Sequence, residues 1–212
     1  TQDLPISIEA LSSVALEERQ IFDVQSLSQQ VPGLLHSKAL GSGVSINIRG
    51  SGPPGVGASV VDSVVSAING HSVTNSILSD AGFLDLDRVE VLKGPQGTLN
   101  GRNAVGGLIN YIPKRPGNEF GGYAKVRLGD FDLAHLQAAI DIPLSDSVRT
   151  RIAVQSYDRD GWVYNVHTKN QVDDRSQMDA RLSIDWDIND TTLLEFTYQV
   201  NDCLLYTSDA AD

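Results

Sequence analysis

From Gly121 onward the chain alternates apolar and polar residues with a period of two, in one segment after another. Alternation sustained in this way suits strands with two chemically different faces. Met178–Ile188 is the cleanest case: Met178, Ala180, Leu182, Ile184, Trp186 and Ile188 oppose Asp179, Arg181, Ser183, Asp185 and Asp187. Gly122–Leu128, Ala134–Ile142, Val148–Tyr157 and Thr192–Val200 follow the same rule. Each segment is about ten residues long, which a tilted strand needs to cross a bilayer. Pro143–Ser147 and Asn189-Asp190 read as tight turns, and Asp158 to Gln177 as a long polar loop. Both tight turns fall on one side of such a sheet, as the short periplasmic turns of a membrane barrel do. A soluble antiparallel sandwich carries the same alternation. In the sandwich the apolar face points inward; in the barrel it meets lipid, and Arg149, Arg151 and Asp185 line a wet lumen. The pattern leaves both open.

The preceding residues read as a compact α/β unit. Val14, Leu16, Ile21, Val24 and Leu27 recur at helical spacing within Ser12–Gln30, with a fresh start capped by Asp23 and a stop at Val31-Pro32-Gly33. Val44–Ile48, Arg88–Leu92 and Gly107–Ile112 read as strands between glycine-rich turns. The net charge of −11 argues against binding a phosphate backbone. No run approaches the ~18 apolar residues of a membrane-spanning helix, which excludes helical insertion alone.

Leu86-Asp-Arg-Val-Glu-Val-Leu-Lys-Gly-Pro-Gln-Gly-Thr-Leu-Asn-Gly-Arg-Asn-Ala-Val-Gly-Gly-Leu-Ile-Asn-Tyr-Ile-Pro-Lys-Arg-Pro116 carries glycines at 94, 97, 101, 106 and 107, which permit tight turns and close backbone approach. This long, gap-free run resembles the signature of TonB-dependent receptor plugs. Leu4–Ile8, Asp23–Gly33 and Ile46-Asn-Ile-Arg-Gly50 match the family in order, and Arg159–Asn165 resembles the stretch after the third barrel strand. Lys93, Asn100 and Pro113 stand where the family has arginine, tyrosine and threonine, and Ser63 where it has glycine.

The resemblance implies an α+β plug domain over 1–117, followed over 118–202 by antiparallel β-strands of an incomplete transmembrane β-barrel. About five strands cannot close a barrel of the plugged, 22-stranded class. Residues 203–212 resemble a translated sequencing-adapter read-through and are set apart from the fold. The chain starts at Thr1 with no leader-like segment, so the expectation is a parent longer at both ends. By resemblance, Arg49 and Lys93 make ionic contacts with barrel-wall acids on later strands. Ser51, Gly52, His71 and Asn75 lie in apical loops that face the cargo. The implied activity is energy-coupled uptake of a scarce nutrient such as a ferric siderophore across the outer membrane of a Gram-negative bacterium. The implied partners are outer-membrane lipid and TonB, which pulls a TonB box upstream of Thr1. No bond is made or broken, so the chain is not read as an enzyme and no cofactor is expected.

Other chemistries fit less well. Gly50-Ser-Gly-Pro-Pro-Gly55 satisfies G-x-G-x-x-G, yet no helix opens after it to meet a phosphate. Gly94–Gly107 lacks the Gly-Lys-Ser/Thr of a P-loop. His36, His71, His135 and His167 are scattered, and the single Cys203 supports neither a disulfide nor a thiolate cluster. The alternative is a soluble α/β ligand-binding module or enzyme with a β-sheet extension. A receptor-like signalling protein would add a domain before the TonB box.

Overall fold

The computed structural model describes residues 7–39, 43–52, 63–73, 82–97, 104–167, 169 and 171–206. Two compact units emerge, Thr1–Pro113 and Lys114–Asp212. The boundary lies just ahead of the expected 117/118, for a local reason. Pro113 has no N–H to extend a strand. Beyond it Arg115 bonds Asp185, and the Gly117 N–H donates to Asp141 Oδ1 at 3.0 Å, so this segment belongs to the second unit.

The first unit opens with β1 (Ser7–Ser12), α1 (Ser13–Glu18) and α2 (Val24–Gln30). The helical periodicity of Ser12–Gln30 is thus split into two short helices. Gln20 takes a left-handed φ of 55° between them, which turns the buried Ile21 into the core. Asp23 restarts the helix as expected: its Oδ1 accepts the Ser26 N–H at 2.8 Å, while Ser26 Oγ accepts the Asp23 N–H at 3.2 Å. This is a reciprocal cap of two orphan amides. Leu16, Ile21, Val24 and Leu27 are buried and Val14 is exposed, so helical spacing places four of its five apolar residues inward.

A hairpin follows, β2 (Leu34–Ala39) with β3 (Gly43–Ile48). Next come β4 (Val64–Ile68), β5 (His71–Val73), β6 (Leu86–Lys93) and β7 (Gly107–Pro113). They form a five-stranded sheet ordered β1-β6-β7-β4-β5, in which β4 and β7 run parallel. Val89, Val91 and Ile109 from its centre pack with Leu16, Val24, Leu27, Leu34 and Ile48 in one core. Asn69 and Gly70 join β4 to β5 with φ of 50° and 80°, the pair of positive values a tight two-residue hairpin turn requires.

The second unit is an antiparallel meander: β8 (Gly121–Gly129), β9 (Leu133–Ser145), β10 (Val148–Arg159), β13 (Asp174–Asn189) and β14 (Thr192–Tyr206). The short hairpin of β11 (Val163–Tyr164) and β12 (Gln171–Val172) stands within the loop before β13. The strands are longer than their alternation suggests. β13 begins at Asp174 rather than Met178, and β14 pairs with it through Cys203, Leu204, Leu205 and Tyr206, so backbone pairing does not break where the alternation does. A 12-residue strand such as β10, tilted about 45°, rises roughly 28 Å, enough for an apolar band of about 25 Å.

Burial on this sheet is inverted relative to a soluble protein. On β13 the polar residues Gln177, Asp179, Arg181, Ser183 and Asp185 are buried, whereas Met178 is 66% and Trp186 46% exposed. Val126, Leu136, Ile152, Val154, Phe196 and Tyr198 lie exposed on the neighbouring strands. A sandwich would hide that face.

Candidate functional site

The glycine-rich motif is a strand–loop–strand whose two ends are clamped together. β6 ends at Lys93; in the next residue, Gly94, φ is 115° and the N–H donates to Gly106 O at 3.1 Å. The Gln96 N–H reaches Ala104 O at 2.7 Å, and the Gly106 N–H reaches Ser63 O at 2.8 Å. A Cβ on Gly107 would stand 2.3 Å from Leu92 O and 2.8 Å from Ile48 Cδ1, so only glycine lets these backbones cross. Ser63 contributes its carbonyl to this clamp.

Arg49 lies in a two-residue turn. With Gly50 it takes φ of 52° and 79°, and Ile48 and Ser51 exchange backbone bonds of 3.0 and 2.9 Å across it. Its N–H is held by Gly33 O at 2.8 Å, and its side chain is exposed and pairs with no carboxylate among the described residues. Lys93 is different. Its Nζ lies 2.7 Å from Glu9 Oε2, an acid of its own sheet, with only 9% of the side chain exposed.

Ser51 and Gly52 continue from the Arg49 turn. A Cβ on Gly52 would collide with the Asn47 carboxamide, and one on Gly106 would press on Ser51 at 3.0 Å, so Ser51, Gly52, Ser63 and Gly106 gather at one end of β4. His71 is exposed opposite Ile68 at the other end, about 13 Å of strand away. The structure therefore does not bring His71 together with Ser51. Asn75 lies outside the described residues.

The polar face of the second unit is the feature that spacing could not organise. Near one end Arg151 pairs with Asp141, Arg149 with Asp187 at 2.9 Å, and Arg115 with Asp185 at 2.9 Å and with Glu195. Farther along, Tyr123 OH donates to Gln137 Oε1 at 3.3 Å, and Gln137 Nε2 to Gln155 Oε1 at 3.2 Å. Gln155, Gln177 and Asn201 in turn donate to Asp179. Arg127 Nη2 stands 3.0 Å from His135 Nδ1; arginine can only donate, so that imidazole carries its proton on Nε2. Among the described residues no group of three or more His, Cys, Asp or Glu could hold a metal ion. The arrangement is a polar wall whose acids and arginines pair across neighbouring strands, as burial demands.

The family profile described as TonB-dependent Receptor Plug Domain matches residues 1–108. The chain belongs to this family. The plug match ends inside β7, and likeness to known receptors continues beyond it. The ferripyoverdine receptor of Pseudomonas aeruginosa is 27% identical over 213 residues, 95% of this chain and 24% of the receptor. The vitamin B12 transporter of Vibrio cholerae is 22% identical over 202 residues, 92% of this chain and 30% of the transporter. The crystal structure of the ferric yersiniabactin uptake receptor of Yersinia pestis superposes with a TM-score of 0.83 at 20% identity, covering 93% of this chain and 32% of that one. The chain thus spans about a quarter to a third of the relatives it matches. These relatives are receptors and transporters rather than enzymes, and the α+β plug followed by antiparallel strands is their fold.

Proposed function

We propose that the chain is part of a Gram-negative outer-membrane receptor that takes up a scarce nutrient, driven through TonB. The supporting observation is the inverted sheet that follows the plug: apolar side chains outward, ion pairs and carboxamides inward. That suits a wall between lipid and a filled lumen. The plug occupies the unit ending at Pro113, and the wall starts at Lys114. Arg49, exposed on its turn, meets an acid of the wall strands that this chain lacks. Ser51 and Gly52, with the loops at their end of the sheet, meet the cargo. TonB engages the chain upstream of Thr1.

A ferric siderophore is the favoured cargo, because ferripyoverdine and ferric yersiniabactin appear in the relatives' names; a vitamin B12 transporter among them keeps cobalamin as the competitor. The test is uptake by the full-length parent in cells with and without TonB, using ferric pyoverdine, ferric yersiniabactin and cyanocobalamin as labelled probes. Accumulation of one probe that vanishes without TonB is expected. Accumulation that persists without TonB would overturn the reading.

A further inference from the structure

The ion pair between Glu9 and Lys93 joins residues 84 positions apart. Among the described residues β1 is the edge strand of the plug sheet and pairs with β6 alone, in register from Ser7 opposite Lys93 to Ser12 opposite Arg88. Its hold is thin. Only Leu11 is buried along the strand, and Ile8 is 53% exposed. The backbone bonds of an edge strand compete with water whenever it frays. Glu9 stands on the same face as Ser7 and Leu11, diagonal to Lys93 and within cross-strand reach. Lys93 is the buried partner, so removing Glu9 strands an ammonium group out of water, whereas removing Lys93 leaves a carboxylate that is 30% exposed.

We infer that the Glu9–Lys93 pair is a latch that governs detachment of β1 from the plug sheet. Its position makes it one. The pair sits in the first half of β1, so a strand peeled from its N-terminal end parts Ser7 and Ile8 from β6 and then loses this contact, ahead of the buried Leu11. Peeling stops where Ser12 caps α1, its Oγ accepting the Ala15 N–H at 3.3 Å. Detachment leaves β6 with an open edge and uncovers Lys93 beside the glycine-rich loop. The link to transport rests on the proposed reading, in which the pull arrives from upstream of Thr1. The latch itself rests only on the plug.

Hydrogen exchange on the full-length receptor in detergent micelles, without TonB, tests it. In Glu9→Gln the amides of residues 7–12 should exchange about tenfold faster, with those of α2 and β7 unchanged. Glu9→Asp should fall between. The swap Glu9→Lys/Lys93→Glu should return to within about threefold of the parent. Unchanged exchange in Glu9→Gln, or equal acceleration throughout the plug, would overturn the latch. If exchange follows the expected pattern while uptake proves independent of TonB, the latch stands and the transport reading falls.

Discussion

Arg151 and Asp141 stand directly opposite each other on β10 and β9, ion-paired on the polar face with 7% and 15% of their side chains exposed. Asp141 also holds the Gly117 N–H at 3.0 Å, so one carboxylate fixes both a strand pair and the segment leading into β8. Asp141→Asn keeps an acceptor for Gly117 and takes the carboxylate charge away from the buried guanidinium. The expected loss is about 3 kcal/mol, read as a lower midpoint of chemical denaturation of the full receptor. Asp141→Asn/Arg151→Gln should recover most of it. A single variant with the parent's midpoint would show that the pair contributes nothing.

Two glycines at positive φ differ in whether a side chain would also collide. Gly107→Ala drives a Cβ to 2.3 Å from Leu92 O, whereas at Gly50 nothing lies within 4 Å and only the φ of 79° resists a side chain. Gly107→Ala should destabilise the plug by about 3 kcal/mol or more and Gly50→Ala by about 1 kcal/mol. Equal losses on thermal denaturation would contradict the crossing at Gly107.

Arg49 occupies a left-handed position that asparagine tolerates better. Arg49→Asn should stabilise the plug by about 0.5 kcal/mol, yet lower uptake if Arg49 meets the barrel wall. A variant that is more stable and transports normally would remove the proposed contact.

Burial pushes the Tyr111 phenol above its ordinary range. A raised folded-state pKa means that the stabilisation is complete below the unfolded value, about 10, and is lost as pH climbs from there towards the folded value. Stability should therefore fall above about pH 10, and fall less in Tyr111→Phe. Parallel alkaline curves for parent and variant would rule out this contribution.

Trp186 sits on the exposed apolar face of β13. With Trp162 replaced by Phe to leave one chain-borne reporter in this segment, lipids brominated on their acyl chains should quench its fluorescence in the reconstituted receptor. The full-length parent needs its other tryptophans replaced likewise. Quenching by aqueous iodide alone would place that face against water.

Much of the fold is legible because short-range rules decide it. Val89 and Val91 on β6, the alternation of β13 and the Asp23 cap each follow from neighbours a few residues away. β1, β2 and β5 escape such a reading: Ser7–Ser12 and Leu34–Ala39 lack clean alternation, and His71–Val73 is too short to show any. The inversion of the second sheet escapes it for another reason, since alternation is identical whichever face is covered. The site was legible as a motif and opaque as geometry. Gly106 and Gly107 announced a close approach without saying to what. The partner of Lys93 lies 84 residues upstream on an edge strand, and the distance between His71 and Ser51 depends on how β4 is placed.

The row of carboxamides ending at Asp179 has a direction. Tyr123 donates to Gln137, Gln137 to Gln155, and Gln155 to Asp179, where Gln177 and Asn201 also arrive. Turning Gln155 over sets donor against donor and acceptor against acceptor, and turning Gln137 over sets its oxygen against that of Gln155, so the line has one standing arrangement, set by a single anion at its end. Each amide of the row directs a donor to the next member of the wall. The row commits its hydrogen bonds to its own members, and one carboxylate sets the sense of all of them.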